Sequence, residues 1–239
     1  MRLLVTRPQP EADETAARLV ERGHEVMIGP VLHFTALPAP PPIADTPAAL
    51  VFTSRNAVRA VTLWPQKDAW RGVPAFVVGA ATARAAREAG FSDVRPGNGD
   101  GVALALLIVV SLNIDAGRVV YPAAEDRAPA LEQRLRSAGY TVDVTVAYRM
   151  DAETSLPPEV AAALREGAID GILFYSGRTA ATFRRLVKQA GLLPSLAGIR
   201  AFVMSESVAA PLAGLALQEV AIAARPSEGG ILSLIPSPG

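Results

Sequence analysis

Residues 76–90 read FVVGAATARAAREAG, and residues 202–217 read FVMSESVAAPLAGLAL. Each is an apolar run, a turn of small polar residues, and an alanine-rich segment. A short apolar run bounded by turn residues fits a strand buried on both faces, and the segment behind it fits a helix. Working outward, the chain repeats the object. LVFTSRNAVRAV at 50–61 matches ILFYSGRTAATF at 172–183. RLLVTRPQPEADETAARLVERGHEVMIGPVLHF at 2–34 matches RVVYPAAEDRAPALEQRLRSAGYTVDVTVAYRM at 118–150. In the first of these, Ala12, Ala16, Leu19 and Val20 recur at helical spacing and Gly23 marks the stop, while HEVMIGPVLHF reads as one following strand. Three blocks occur in order, then again in order. The pattern predicts an α/β protein of two parallel-sheet domains from an internal duplication.

Proline places the boundaries. TALPAPPPIADTP at 35–47 breaks the first half, and RMDAETSLPPE at 149–159 breaks the second. The simplest arrangement exchanges the first blocks. Residues 1–34 with 150–239 form one discontinuous domain, residues 48–146 form the other, and 35–47 with 147–149 connect them.

Composition narrows the chemistry. Of 239 residues, 50% are hydrophobic, which suits a substantial core, and 23 basic residues balance 23 acidic ones, so no basic excess points to nucleic acid. With no cysteine, thiolate chemistry and disulfides are excluded. His24 and His33 are not spaced as a metal pair. Nothing reads as a membrane span, and MRLLVTRPQP lacks the pattern of a secretory signal, so a cytoplasmic protein is expected. GNGDG at 97–101 lacks the spacing of a nucleotide loop and reads as a tight turn.

The turns after the strands carry the interest. They are TRPQ (6–9), TSRN (53–56), GAAT (79–82), YPAAED (121–126), YSGRT (175–179) and SES (205–207). Ligands of open parallel sheets lie beyond the carboxyl ends of the strands, where helix N-termini favour anions. Arg7, Arg55 and Arg178 could pair with carboxylates. Hydroxyl residues at these turns also serve as helix caps, and Thr82 reads equally well as one. Tyr121 and Tyr140 read as packing residues.

The motifs VTRP, FTSRNAV, VVGAATA, VAYR and FYSG, in this order over essentially the whole chain, resemble the uroporphyrinogen-III synthase family. The resemblance implies two Rossmann-like or flavodoxin-like domains, a two-stranded connector and an active site in the cleft between the domains. It implies cyclisation of linear hydroxymethylbilane with loss of water and inversion of ring D, through a spiro intermediate, without metal or organic cofactor. The substrate, a polycarboxylate, would be handed over by hydroxymethylbilane synthase, and a monomer is expected. The family's recurring tyrosine maps to Tyr148 as the catalytic residue, its turn threonine to Thr82, and its serines to Ser54 and Ser176. Thr6, Arg7, Arg55, Gly79, Tyr175, Gly177, Ser205 and Ser207 complete the substrate-binding candidates. The chain departs from the family at Met204, Ser205, Glu206 and Ser207, where a small Gly-Pro type turn is usual. Either Glu206 points away from a polyanionic ligand or binding is altered.

Two other readings stand beside this one. A non-catalytic tetrapyrrole- or carboxylate-binding module on the same fold would suit the altered turn at 204–207. A nucleotide-dependent transferase would need a glycine fingerprint that the chain lacks.

Overall fold

The computed structural model describes residues 1–41 and 45–237. Residues 42–44, inside the stretch read as a connector, lie outside the described residues. The chain divides into two compact units, Met1–His33 with Asp151–Gly239, and Phe34–Met150.

The first block supplies β1 (Arg2–Val5), α1 (Glu11–Glu21), β2 (Glu25–Ile28) and β3 (Leu32–Ala36). Next come β4 (Ala49–Phe52), α2 (Arg55–Val61), β5 (Ala75–Val77), α3 (Ala80–Glu88), β6 (Val94–Pro96) and α4 (Gly101–Ser111). They are followed by β7 (Val119–Ala124), α5 (Ala130–Ser137), β8 (Val142–Ala152) and α6 (Pro158–Arg165). The chain finishes with β9 (Gly171–Phe174), α7 (Gly177–Gln189), β10 (Arg200–Val203), α8 (Glu206–Ala209), β11 (Glu219–Ile222) and α9 (Glu228–Leu232).

One sheet has the order β11-β10-β9-β1-β2, and the other β3-β8-β7-β4-β5-β6. Within the first, β1 pairs in parallel with β2 and β9, and β10 with β9 and β11. In the second, β4 pairs in parallel with β5 and β7, β5 with β6, and β7 with β8. With β3, the edge strand of the second sheet, set aside, β2-β1-β9-β10-β11 and β8-β7-β4-β5-β6 are one order, but the block that begins the chain in the first sheet ends its unit in the second. Central strands are apolar throughout: Leu50, Val51 and Phe52, like Ile172, Leu173 and Phe174, are fully buried. Helices on both faces leave no solvent side, hence no alternation. Among the described residues no helix is long and apolar enough to cross a membrane.

One expectation fails. HEVMIGPVLHF is two strands in two sheets, β2 and β3, parted at Gly29–Pro30. The Gly29 amide still donates to the Val5 carbonyl at 2.9 Å, but Pro30 has no N–H to continue the ladder. A Cβ on Gly29 would stand 2.6 Å from Val160 Cγ2, so glycine lets α6 close on the sheet there. Residues 35 and 36, read as connector, finish β3.

Candidate active site

In the unit Phe34–Met150, β4 delivers Thr53 and Ser54 to its carboxyl end. Ser54 is extended and caps α2, its Oγ accepting from the Ala57 amide at 3.0 Å. The same Oγ lies 2.8 Å from the Tyr148 hydroxyl. Tyr148 arrives on β8, where the register against β7 slips: Ala123 faces Val146, but Ala124 faces Tyr148. A bulge re-aims side chains. Here alternation breaks, and both Ala147 and Tyr148 are buried. Phe34 stacks on the Tyr148 ring at 5.6 Å between centroids. Burial pushes the Tyr148 phenol above its ordinary pKa, with the Ser54 hydrogen bond opposing and Tyr121 adding to the rise. Tyr121, on β7, places its hydroxyl 3.3 Å from Thr53 Oγ1.

These groups line a cavity of about 410 Å³ within this unit, together with Val78, the first turn of α4 and Arg127. GNGDG is a turn as expected: Gly99 has φ 105°, which favours glycine, and Asp100 caps α4 through the Ala103 amide at 2.7 Å. Arg127 Nη1 donates to the Ala124 carbonyl at 3.3 Å and Nη2 to Glu132 at 3.4 Å. Its Nε is buried with no hydrogen-bond partner among the described residues. Of the residues named from sequence, the cavity takes in Ser54 and Tyr148. Sequence reading missed Arg127, held Thr53 only as part of the TSRN turn, and took Tyr121 for packing. The turn YPAAED ends one residue short of Arg127, and only the fold brings that arginine to the cavity that Tyr148 also lines.

Beside it, α3 begins at Ala80 with Gly79 as N-cap and no side-chain cap. Thr82 therefore does not cap α3. It sits inside the first turn and is 7% exposed. A Cβ on Gly79 would meet nothing within 4 Å, and its φ of −170° suits any residue. Arg55 opens α2 and is partly buried.

The strand ends of the other unit are built differently. Thr6 is fully buried, and its hydroxyl donates to the Leu173 carbonyl at 2.7 Å. That bond ties β1 to β9, so the hydroxyl read as a substrate contact has a structural partner. The Arg7 guanidinium lies 4.1 Å above the Tyr175 ring and donates to Thr15 Oγ1 at 3.0 Å. Arg7 also pairs with Glu228 at 3.4 Å, while the Thr15 hydroxyl donates to Glu228 at 2.7 Å and Arg18 pairs with the same carboxylate. Burial raises the Tyr175 pKa; Thr15 and Arg7 lie close enough to oppose the rise, but neither is aligned as a hydrogen-bond partner of its hydroxyl.

Ser176 caps α7, accepting from the Thr179 amide at 3.1 Å. A Cβ on Gly177 would stand 3.0 Å from the Ser207 carbonyl oxygen, so this glycine answers to α8 packed against it. Ser205 precedes α8 without capping it, its Oγ lying 2.9 Å from Ser207 Oγ. Glu206 is exposed.

Comparison with known proteins follows this architecture. A family model described as uroporphyrinogen-III synthase HemD matches residues 13–233. A curated uroporphyrinogen-III synthase from Synechococcus elongatus is 28% identical over 197 residues, covering 77% of this chain and 74% of that protein. The crystal structure of uroporphyrinogen-III synthetase from Helicobacter pylori matches with a TM-score of 0.66 at 20% identity over 98% of both chains. A mutant uroporphyrinogen III synthase from the extremely thermophilic bacterium Thermus thermophilus matches with a TM-score of 0.53 at 19% identity, over 98% of this chain and 96% of that one. At such identities the two structures speak for the fold, while the family model spans most of the chain. The protein belongs to the uroporphyrinogen-III synthase family.

Proposed function

We propose that this protein is the lyase that closes hydroxymethylbilane into uroporphyrinogen III, with loss of water and inversion of ring D. The observation that carries the reading is the family match over residues 13–233. The reading includes receipt of the substrate from hydroxymethylbilane synthase, a monomeric working unit and a cytoplasmic setting.

The substrate's pyrroles push the terminal hydroxyl out largely unaided, and free closure leaves ring D uninverted. The protein's work is to hold ring D where inverted closure is nearer and to deliver a proton to the departing oxygen. Tyr148 is the proposed donor. The C–O bond breaks as the phenol proton goes to the hydroxyl, and water leaves. The freed methylene carbon is attacked by the substituted α-carbon of ring D, which forms the spiro intermediate. The bond from that carbon to the methylene of ring C then breaks, the unsubstituted α-carbon of ring D bonds to that methylene instead, and the proton this carbon releases restores the phenol. A phenol whose pKa is raised by burial keeps its proton through neutral pH, as a donor must.

Arg127 is the proposed counter-ion for a substrate carboxylate, because it lines the cavity and its Nε has no hydrogen-bond partner among the described residues. Charge-assisted, two-point pairing of a carboxylate suits a guanidinium with a spare donor. Gly79 leaves open space before the first amides of α3, where a second carboxylate could rest. The exposed Glu206 does not need to meet the substrate.

The test is direct. Protein incubated with enzymatically made hydroxymethylbilane, then oxidised and chromatographed, should yield the type III porphyrin isomer. Only type I, at the rate of the protein-free control, would refute the reading.

A further inference from the structure

Ser54 holds a position that neither capping nor substrate binding accounts for. One lone pair of its Oγ is taken by the Ala57 amide, which fixes that oxygen at the start of α2. The Tyr148 oxygen stands 2.8 Å away, on a ring held by Phe34 and by the β8 bulge. Two hydroxyls that face each other carry two hydrogens, and only one can lie on the line between the oxygens. If Tyr148 donates, its proton is engaged by Ser54. If Ser54 donates, the phenol proton is free to face the cavity that both residues line.

We propose that Ser54 is a positioning residue for the known reaction, donating its hydroxyl hydrogen to the Tyr148 oxygen so that the phenol proton is presented to the substrate. The inference rests on the reading of Tyr148 as the proton donor. Once the proton has gone, the Ser54 bond becomes charge-assisted and shortens, which stabilises the phenolate until the proton returns. The direction of the bond's effect on the phenol agrees: Ser54 favours the ionised form while burial disfavours it.

A plain helix cap is the competing role, and the two separate by experiment. Glycine is nearly as good an N-cap as serine, so Ser54→Gly keeps the start of α2 while removing the hydroxymethyl group. Thermal melts of Ser54→Gly, Ser54→Thr, Tyr148→Phe and the Ser54→Gly/Tyr148→Phe double variant accompany kinetics and isomer analysis. Ser54→Gly should lower kcat about tenfold and leave KM within about twofold, and Ser54→Thr should recover most of that loss. The double variant should be no slower than Tyr148→Phe alone, because Ser54 acts through the phenol. Ultraviolet titration, with Tyr148→Phe as the blank, should place the phenol higher in Ser54→Gly. A slow Tyr148→Phe beside a fully active Ser54→Gly overturns the proposal alone, as does a double variant in which the two losses multiply. A fully active, folded Tyr148→Phe removes the donor reading itself and this inference with it.

Discussion

At the strand ends of Phe34–Met150, Arg127 keeps a buried donor with no hydrogen-bond partner among the described residues, beside a cavity; at those of the other unit, Arg7 meets Tyr175, Thr15 and Glu228. The two sheets share one strand order, and both units place hydroxyls and an arginine after their strands. What differs is a carboxylate from elsewhere. Glu228, on the helix near the end of the chain, gathers Arg7, Arg18 and Thr15. Arg127 has in its place Glu132, which among the described residues pairs with it alone, at the 3.4 Å of the Arg7–Glu228 pair. Arg7 thus shares its carboxylate with Arg18 and Thr15, whereas Arg127 keeps one donor without a partner among the described residues, the donor proposed above for a ligand.

The sharpest way to break this comparison is Tyr148→Phe. Inverted closure should slow by about 10- to 100-fold while affinity holds, and type I isomer should accumulate by default. A packing role alone would leave rate and isomer ratio unchanged in the folded variant.

Next in size are the two charged clusters. Arg127→Gln should raise KM about tenfold, the worth of one charge-assisted carboxylate contact. Glu228→Gln should instead cost about 1–2 kcal/mol, since its side chain keeps 23% of its surface exposed and solvent screens the pairs. That appears as a melt several degrees lower with KM little changed. If Glu228→Gln moves KM and Arg127→Gln does not, the two units have been assigned the wrong way round.

The glycines give a smaller contrast. Gly79→Val has room in the protein and gives up only a favourable N-cap, so it should melt no more than a few degrees lower, and any rise in KM reports a ligand over the α3 amides. Gly177→Ala must push back the Ser207 carbonyl and should cost about 1 kcal/mol. An unchanged KM for Gly79→Val would take the substrate off that turn.

The least effect is one of pH. His24 is buried, and burial, then the positive charges of the N-terminus and Arg22, hold its pKa below the ordinary 6.5. The unfolded chain therefore takes up this proton first as pH falls. His24 contributes stability above about pH 6.5 that is lost progressively below it. Denaturant midpoints at pH 8 and pH 5 should differ less in His24→Asn than in the wild type. Equal differences would show that the imidazole does not titrate with folding.

Much of the architecture was legible in the chain itself. Strands such as ALVF and GILF are apolar without alternation because both faces are covered, and that is written in composition alone. Ser54 and Ser176 announce helix starts because a cap needs only its own three following residues. Gly29–Pro30 was legible too late: a glycine and proline inside an apolar run mark a break only once α6 is known to pack against it.

What tertiary structure alone decided is which side chains meet. Arg7 and Glu228 are joined by the fold, and no local pattern pairs them. The β8 bulge that carries Tyr148 to Ser54 depends on register against β7, a property of two strands together. Secondary structure and caps follow from neighbours in sequence, because their hydrogen bonds span a few residues. Whether an arginine is spent or spare, and where a phenol proton points, follows from neighbours in space, because charge and hydroxyl pairing are settled only when distant elements close on one another.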